Sequence, residues 1–353
     1  MNLKEKLSEL IFLEVKTKEL EKLLNVNIDW NEAALFMPIS ASYLSKNIND
    51  NNKIDNIPVS EFIFGMTLTI GCDKEFRFNN IYKNLIREIP DAVSYIKSVV
   101  ANLVKDEKLV SAYALLKGLI EIEVSEDNYE KALIVIEALR QKNKEYKDEE
   151  LIVIEDMKDK IQSPLPYFYE SLIYKDDERY DMAMISLDTY FEKGGKRDAQ
   201  ILEFEEWLRK SSNYEKAKEV LYEDPAKALE LFLPLLEENS DNPLIYYHIA
   251  VAYRLIDNYE KAIYYLNESV NLDDNILEVV NELGLNYASL GDYESALTYF
   301  KKAFEVTGNI EFCTNIIMCY LNLNNMKEAK KYFEKGEQID KEDEILKDIK
   351  RYF

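Results

Sequence analysis

One histidine, His248, serves the whole 353-residue chain. Any Ser-His-Asp or Cys-His relay would have to be built on it, because imidazole is the side chain that exchanges a proton near neutral pH. His248 lies between Tyr247 and Ile249 in a helical pattern, and no serine stands in an elbow motif. It reads as a helix residue near a groove wall. The thiols are Cys72, Cys313 and Cys319. Cys313 and Cys319 are six apart, which puts them on different sides of a helix, unlike a zinc pair at i,i+4. They read as small core hydrophobes, and Cys72 likewise. Gly194-Gly195-Lys196 lacks the upstream glycine of a phosphate loop and follows a helix. The acid runs Asp148-Glu149-Glu150 and Asp176-Asp177-Glu178 lack the spacing of a calcium loop and read as solvated loops. The expectation is no catalytic residue, no metal and no cofactor. A hydrolase or transferase within residues 1–105 is the reserve reading.

Composition narrows the partners. The formal charge is −23, from 67 acidic and 44 basic side chains. A basic face for phosphates is hard to build from that balance, so neither nucleic acid nor an anionic membrane is expected. Nine Gly and eight Pro are too few for a turn-dense β fold, and 47% hydrophobic residues argue against disorder. The N-terminus, Met1-Asn2-Leu3-Lys4-Glu5-Lys6, enters an acidic amphipathic pattern without a leader's apolar segment. The apolar run from Phe62 to Cys72 is too short to span a bilayer. A soluble, cytoplasmic protein is expected. Abundant Lys, Asn, Ile, Glu and Tyr point to an AT-rich bacterial genome.

At this length a single compact core gives way to several domains or to a core that grows along one axis. The last third repeats at 33–34 residues. Tyr246, Ile249, Ala250, Tyr253, Asp257-Asn258-Tyr259, Ala262 and Leu266 are followed in phase by Val280, Leu283, Gly284, Tyr287, Gly291-Asp292-Tyr293, Ala296 and Phe300. Cys313, Ile316, Ile317, Tyr320, Asn324-Asn325-Met326, Ala329 and Phe333 come next. Each unit reads as two helices with a tight turn at Asn258, Asp292 or Asn325. Small residues sit where the helices cross and aromatics fill the space between pairs.

This pattern resembles the tetratricopeptide repeat. The family's Leu-Gly falls on Leu283-Gly284, its Tyr on Tyr253, Tyr287 and Tyr320, and its second-helix Ala on Ala262, Ala296 and Ala329. The resemblance implies an all-α, right-handed solenoid whose first helices line a concave groove. Carried over by position, that face is Leu244, Tyr247, Val251 and Arg254; then Glu278, Asn281, Leu285 and Ala288; then Glu311, Thr314, Met318 and Leu321. Leu165, Phe168, Leu172 and Lys175 come from a unit near 164–194. Chaperone-binding members hold a carboxylate with inward Lys, Asn and Arg. Here those positions read Tyr247, Val251, Asn281 and Leu285, so that partner class is not expected. An aromatic-aliphatic groove with Asn281 and acidic rims suits an extended or helical, possibly basic, segment.

Upstream the phase loosens. Helices around Gly118 and from Tyr129 read as one pair, and Tyr214–Leu221 with Pro225–Leu235 as another. Extra helices are expected near 146–161 and 197–210. Pro225 suits a first turn, and Pro234 should kink or end its helix. Gly194-Gly195 should end another. Residues 1–105 show no repeat phase and read as helical. Leu3, Leu7, Leu10 and Ile11 form one stripe, Leu20, Leu23 and Leu24 a second, and Ser60 a plausible N-cap. A short strand at 62–72 is the alternative to a helix there. Lys46–Lys53 reads as a polar loop, and Pro90-Asp91 opens another helix.

The organisation expected is therefore a helical region at 1–105, degenerate pairs at 106–240, regular repeats at 241–340 and a capping helix at 341–353 carrying Ile345, Leu346, Ile349 and Phe353. The leading function is a non-enzymatic scaffold or adaptor that binds protein or peptide in its groove. The alternative is a peptide-responsive bacterial regulator, similar in layout to those that join a helical bundle to a tetratricopeptide array.

Overall fold

The computed structural model describes residues 3–27, 34–47 and 57–353. It divides into two compact units, Met1–Glu205 and Glu206–Phe353. In the first, a 3-10 turn at Leu3–Glu9 runs into strand β1 (Leu10–Lys16). Helix α1 (Thr17–Leu24) follows, then β2 (Ala34–Ser40), which pairs antiparallel with β1 from Leu10↔Ser40 to Lys16↔Ala34. The helical stripe expected through Leu10 and Ile11 is thus corrected. Leu10-Ile11-Phe12-Leu13-Glu14-Val15 is dense in aromatic and β-branched residues, and strand pairing stabilises it. Leu35, Met37 and Ile39 alternate onto the covered face of β2, leaving Phe36 outside.

The covering element is α3 (Val59–Cys72), buried nearly all round, which is why its sequence carries no helical stripe. It is a helix, not the alternative strand. Ser60 lies inside its first turn while Pro58 stands at the cap position. A Cβ on Gly65 would lie 2.1 Å from the Pro38 carbonyl oxygen, so this glycine lets strand and helix touch. Helix α2 (Ala41–Asn47) takes up Lys46 and Asn47 of the expected polar loop. Residues 48–53 of that loop lie outside the described residues.

Helices α4 (Asn79–Glu88), α5 (Ala92–Lys105), α6 (Leu109–Ile122), α7 (Glu126–Lys142), α8 (Lys147–Lys160), α9 (Leu165–Asp176) and α10 (Tyr180–Glu192) complete the unit with the start of α11 (Ala199–Val220). One apolar cluster runs from Leu3 to Ile173, so the residues on either side of the boundary expected at 105 share a core. Glycine again sets the tightest crossing. A Cβ on Gly71 would lie 1.9 Å from the Ala114 carbonyl oxygen, and one on Gly118 2.2 Å from that of Thr67.

A shared turn identifies the helix pairs. Glu107, Glu178, Asp257, Gly291 and Asn324 all have positive φ, between 54° and 79°. Five residues after each comes a fully buried alanine: Ala112, Ala183, Ala262, Ala296 and Ala329. The amide after each turn residue returns to a carbonyl five back, as Asn258 to Tyr253, at 2.8–2.9 Å. By this turn α5 pairs with α6, and α7 also packs on α6, so the expected contact of α6 with α7 is present as well. The pair α9–α10 stands where expected, and Gly194 (φ 90°) ends α10.

The second unit stacks the end of α11 and α12 (Pro225–Glu238), α13 (Pro243–Leu255), α14 (Tyr259–Leu272), α15 (Leu277–Ser289), α16 (Tyr293–Thr307), α17 (Ile310–Asn322), α18 (Met326–Ile339) and α19 (Glu344–Ile349). Helix α11 is a single 22-residue helix, where the sequence suggested a break before Tyr214. Pro234 neither ends nor divides α12; Pro225 opens it, with Asp224 accepting the Lys227 amide at 3.1 Å. Asn258, Asp292 and Asn325 cap α14, α16 and α18 in the same way. Gly284 lets Phe300 lie flat on α15, since a Cβ would stand 2.5 Å from the ring. Tyr253 stacks on Tyr265 and Tyr287 on Tyr299, with centroids 5.5 and 5.6 Å apart. At the end, Leu346 and Ile349 are buried and Phe353 meets Phe333 at 5.0 Å, whereas Ile345 points to solvent.

Candidate interaction face

The first helices of the regular pairs, α13, α15 and α17, carry the face expected to meet a partner. Along α13, Leu244, Tyr247, Val251 and Arg254 follow the 3.6-residue period and form one stripe. Leu244 is 44% exposed, and Tyr247 and Arg254 are half-buried. Val251 is only 1% exposed and shares an apolar cluster with Val279 and Leu283 of α15. It is a core residue, and its place in the expected groove is corrected. On α15, Glu278 is exposed and Asn281, Leu285 and Ala288 are half-buried. On α17, Glu311 is exposed, Leu321 half-buried and Met318 40% exposed. Thr314 is buried and donates to the Glu311 carbonyl oxygen at 2.8 Å, so its hydroxyl serves its own helix.

Arg254 is not a free cation. Its Nε and Nη2 donate to the two carboxylate oxygens of Glu282 at 2.6 and 3.3 Å, tying α13 to α15 with a forked ion pair. Sequence reading missed Glu282. Its signal was an acid set among Val279, Val280, Leu283 and Gly284. Tyr247 lies close by. Burial first, then Glu282, Tyr222 and Glu278, push its phenol up to about 12, with Arg254 opposing. Tyr222, in the turn after α11, is 71% exposed and was also missed. The Oδ1 of Asn281 is buried without a hydrogen-bond partner among the described residues.

His248 faces the other way. Its ring stacks on Phe232 at 5.5 Å and meets the edges of Tyr214 and Tyr247 at 5.6 and 5.0 Å. Burial holds its pKa down to about 4, so it is a neutral packing residue near pH 7. The three thiols are buried, and burial raises Cys313 and Cys319 to about 11. Cys313 donates to the Tyr332 carbonyl oxygen at 3.2 Å. Among the described residues no three His, Cys, Asp or Glu side chains come together as a metal site. No described helix is long and apolar enough to cross a membrane.

In the first unit, Phe168 packs inward, with ring centroids 5.7 Å from Tyr190 and 6.0 Å from Phe204. Leu165 and Leu172 lean on the first core, and Lys175 pairs with Asp176 at 2.9 Å. The acid runs are only in part the solvated segments expected: Asp148, Asp177 and Glu178 are exposed, whereas Glu149, Glu150 and Asp176 are held by neighbouring cations. Glu149 accepts from Tyr113 at 2.9 Å and from Lys117 at 2.5 Å. Glu150, fully buried, accepts from Arg140 Nε at 2.5 Å. Arg140 also donates to Asp176, and Lys147 to Asp177. Burial pushes Glu150 up to about 7 against the pull of Arg140. Beside this cluster a cleft of about 260 Å³ is lined by Arg140, Gln141, Lys144, Lys147, Ile173, Asp176 and Asp177.

Helix pairs joined by one recurring turn, crossing at a small residue and stacked through aromatics, make this an all-α helical-repeat protein of the solenoid class. More particularly, residues 244–276, 277–309 and 310–343 are tetratricopeptide repeats, each matched by the family model of that name. The chain is 26% identical over 141 residues to the TPR repeat-containing protein MJ1428 of Methanocaldococcus jannaschii. That match covers 40% of this chain and 24% of the relative, so this chain spans about a quarter of the curated protein it matches. Among solved structures it is similar to the C-terminal part of a TPR repeat-containing protein from Cytophaga hutchinsonii (17% identity, 62% of this chain and 98% of that one, TM-score 0.46). It is also similar to YrrB, described as a TPR protein with an unusual peptide-binding site (18% identity, 56% and 96%, TM-score 0.41).

Proposed function

We propose that the Glu206–Phe353 unit is a protein-interaction module. It takes an extended or helical apolar segment of another protein along the first helices of its repeats. The observation that carries this reading is the pair of open apolar side chains on that face, Leu244 and Met318, with Tyr247 and Leu285 half-open between them. Exposed large apolar groups in a stripe, bordered by acids, mark a contact surface. The face is not read as a carboxylate clamp: Arg254 is paired with Glu282, and Tyr247 and Leu285 stand where a clamp would need cations. A carboxylate-ended chaperone tail therefore does not fit. The test is selection from a displayed random peptide library, followed by calorimetry on a selected peptide. Leu244→Glu should weaken binding at least about tenfold while changing stability by less than ~0.5 kcal/mol, the usual surface cost. Equal affinity in both proteins, or no selected peptide at all, would refute the assignment.

A further inference from the structure

We infer that the cleft at the ends of α7 and α9 is a binding site for one small oxyanion, a carboxylate or phosphate group on a compact ligand. It lies wholly within the Met1–Glu205 unit and is independent of the interaction face. Successive elements build it. The last turn of α7 brings Arg140 and Gln141, and the 3-10 turn that follows, Lys144–Tyr146, brings Lys144. Lys147 opens α8, while Ile173 and Asp176 come from the end of α9. The cleft of about 260 Å³ is many times the ~30 Å³ share of one water.

The hydrogen bonds decide which sign of charge the cleft takes. Its acids are spent. Asp176 accepts from Arg140 Nη1 and from Gln141 Nε2 at 2.9 Å, and pairs with Lys175 at 2.9 Å. Asp177 is taken by Lys147. Glu150 accepts from Arg140 Nε at 2.5 Å. The donors are not used up in the same way. The Arg140 side chain is 4% exposed, and its Nη2 is buried without a partner among the described residues. Unpaired buried N–H groups cost free energy that an acceptor oxygen recovers. The Lys144 ammonium is exposed and has no ion pair among the described residues. Arg140, Lys144 and Lys147 face Asp176 and Asp177, which leaves the lining one positive charge in excess within a chain of formal charge −23. A guanidinium held by carboxylates on two sides is already oriented, and keeps its last nitrogen for an incoming oxygen. Water does not reach Nη2, and an oxygen held by Lys144 draws the guanidinium towards the cleft.

Calorimetric titration of the full chain with inorganic phosphate and with succinate, at constant ionic strength, tests the site. At least one should bind once per chain, and the tighter of the two names the group. Lys144→Gln, at an exposed position, should weaken that binding at least about tenfold, the usual cost of one charge-assisted hydrogen bond, without moving the unfolding midpoint of the ligand-free chain. Lys105→Gln removes the same charge from an exposed position of α5 outside the cleft, and should leave the affinity unaltered. On saturation the Arg140 Nε–H resonance should shift in the nitrogen-proton NMR spectrum. Absence of saturable binding by either anion, equal weakening by the two lysine substitutions, or binding that leaves the Arg140 resonance in place would each overturn the site.

Discussion

The two units solve one problem, bringing helices close, by different means. In the Glu206–Phe353 unit a small residue recurs at a fixed place in each pair, and rings stack at a fixed offset behind it. In the Met1–Glu205 unit the tight contacts join elements distant in sequence: Gly65 to β2, Gly71 and Gly118 across α3 and α6. Charges add to rings there, with Arg140 buried between Glu150 and Asp176. A local, periodic solution leaves one face of each helix free for a partner. A non-local solution consumes both faces, as α3 shows. That is why the candidate interaction face lies on the repeats.

Substitutions can break this contrast. The largest effect is expected at Arg140. Arg140→Met strands Glu150 without a counter-charge and should cost about 3–5 kcal/mol, the usual price of opening a buried ion pair. Urea unfolding of the full chain would show it, and a loss under ~1 kcal/mol would mean the cluster is not part of what holds the first unit together. Next come the glycines. Gly118→Ala drives a methyl into backbone and should cost about 3 kcal/mol or more; Gly284→Ala meets a ring that can turn, and should cost about 1–2. Equal costs would erase the proposed difference between backbone-limited and ring-limited crossings.

A smaller effect is expected at His248. Its pKa of about 4 lies below the ordinary 6.5, so the unfolded chain binds the proton more tightly. Its stabilising contribution is present above pH 6.5 and is lost as pH falls from there through 4. Unfolding midpoints of the native chain should drop across that window more steeply than those of His248→Phe. Parallel curves would show that the imidazole is not desolvated by Tyr214 and Phe232.

How much of this could be read in the chain follows from the same contrast. The regular pairs, their Asn and Asp caps and the small crossing residues were visible because each is a local signal repeated at 33–34 residues. The pairing of α5 with α6 was missed although Ala112 follows Glu107 by the diagnostic five residues. Glu and Lys do not announce a turn as Gly-Asp does, and Leu103 stands where Tyr253, Tyr287 and Tyr320 mark the other first helices. The β1–β2 pairing was hidden because the partner strand and the helix that covers it are remote in sequence. On the interaction face, helical periodicity located the stripe. It could not tell Val251 and Thr314, which packing closes, from Leu244 and Met318, which it leaves open. Tyr222 lies outside the helices and had no period to reveal it.

The most direct measurement is site-specific cross-linking. A photoreactive side chain is placed in turn at Leu244 and Met318 on first helices, and at Tyr264 and Val306 on second helices. All four positions are exposed. With a peptide selected from the displayed library, the account predicts adducts at 244 and 318 and none at 264 or 306. Adducts confined to 264 or 306 would place the partner on the opposite helices and contradict it.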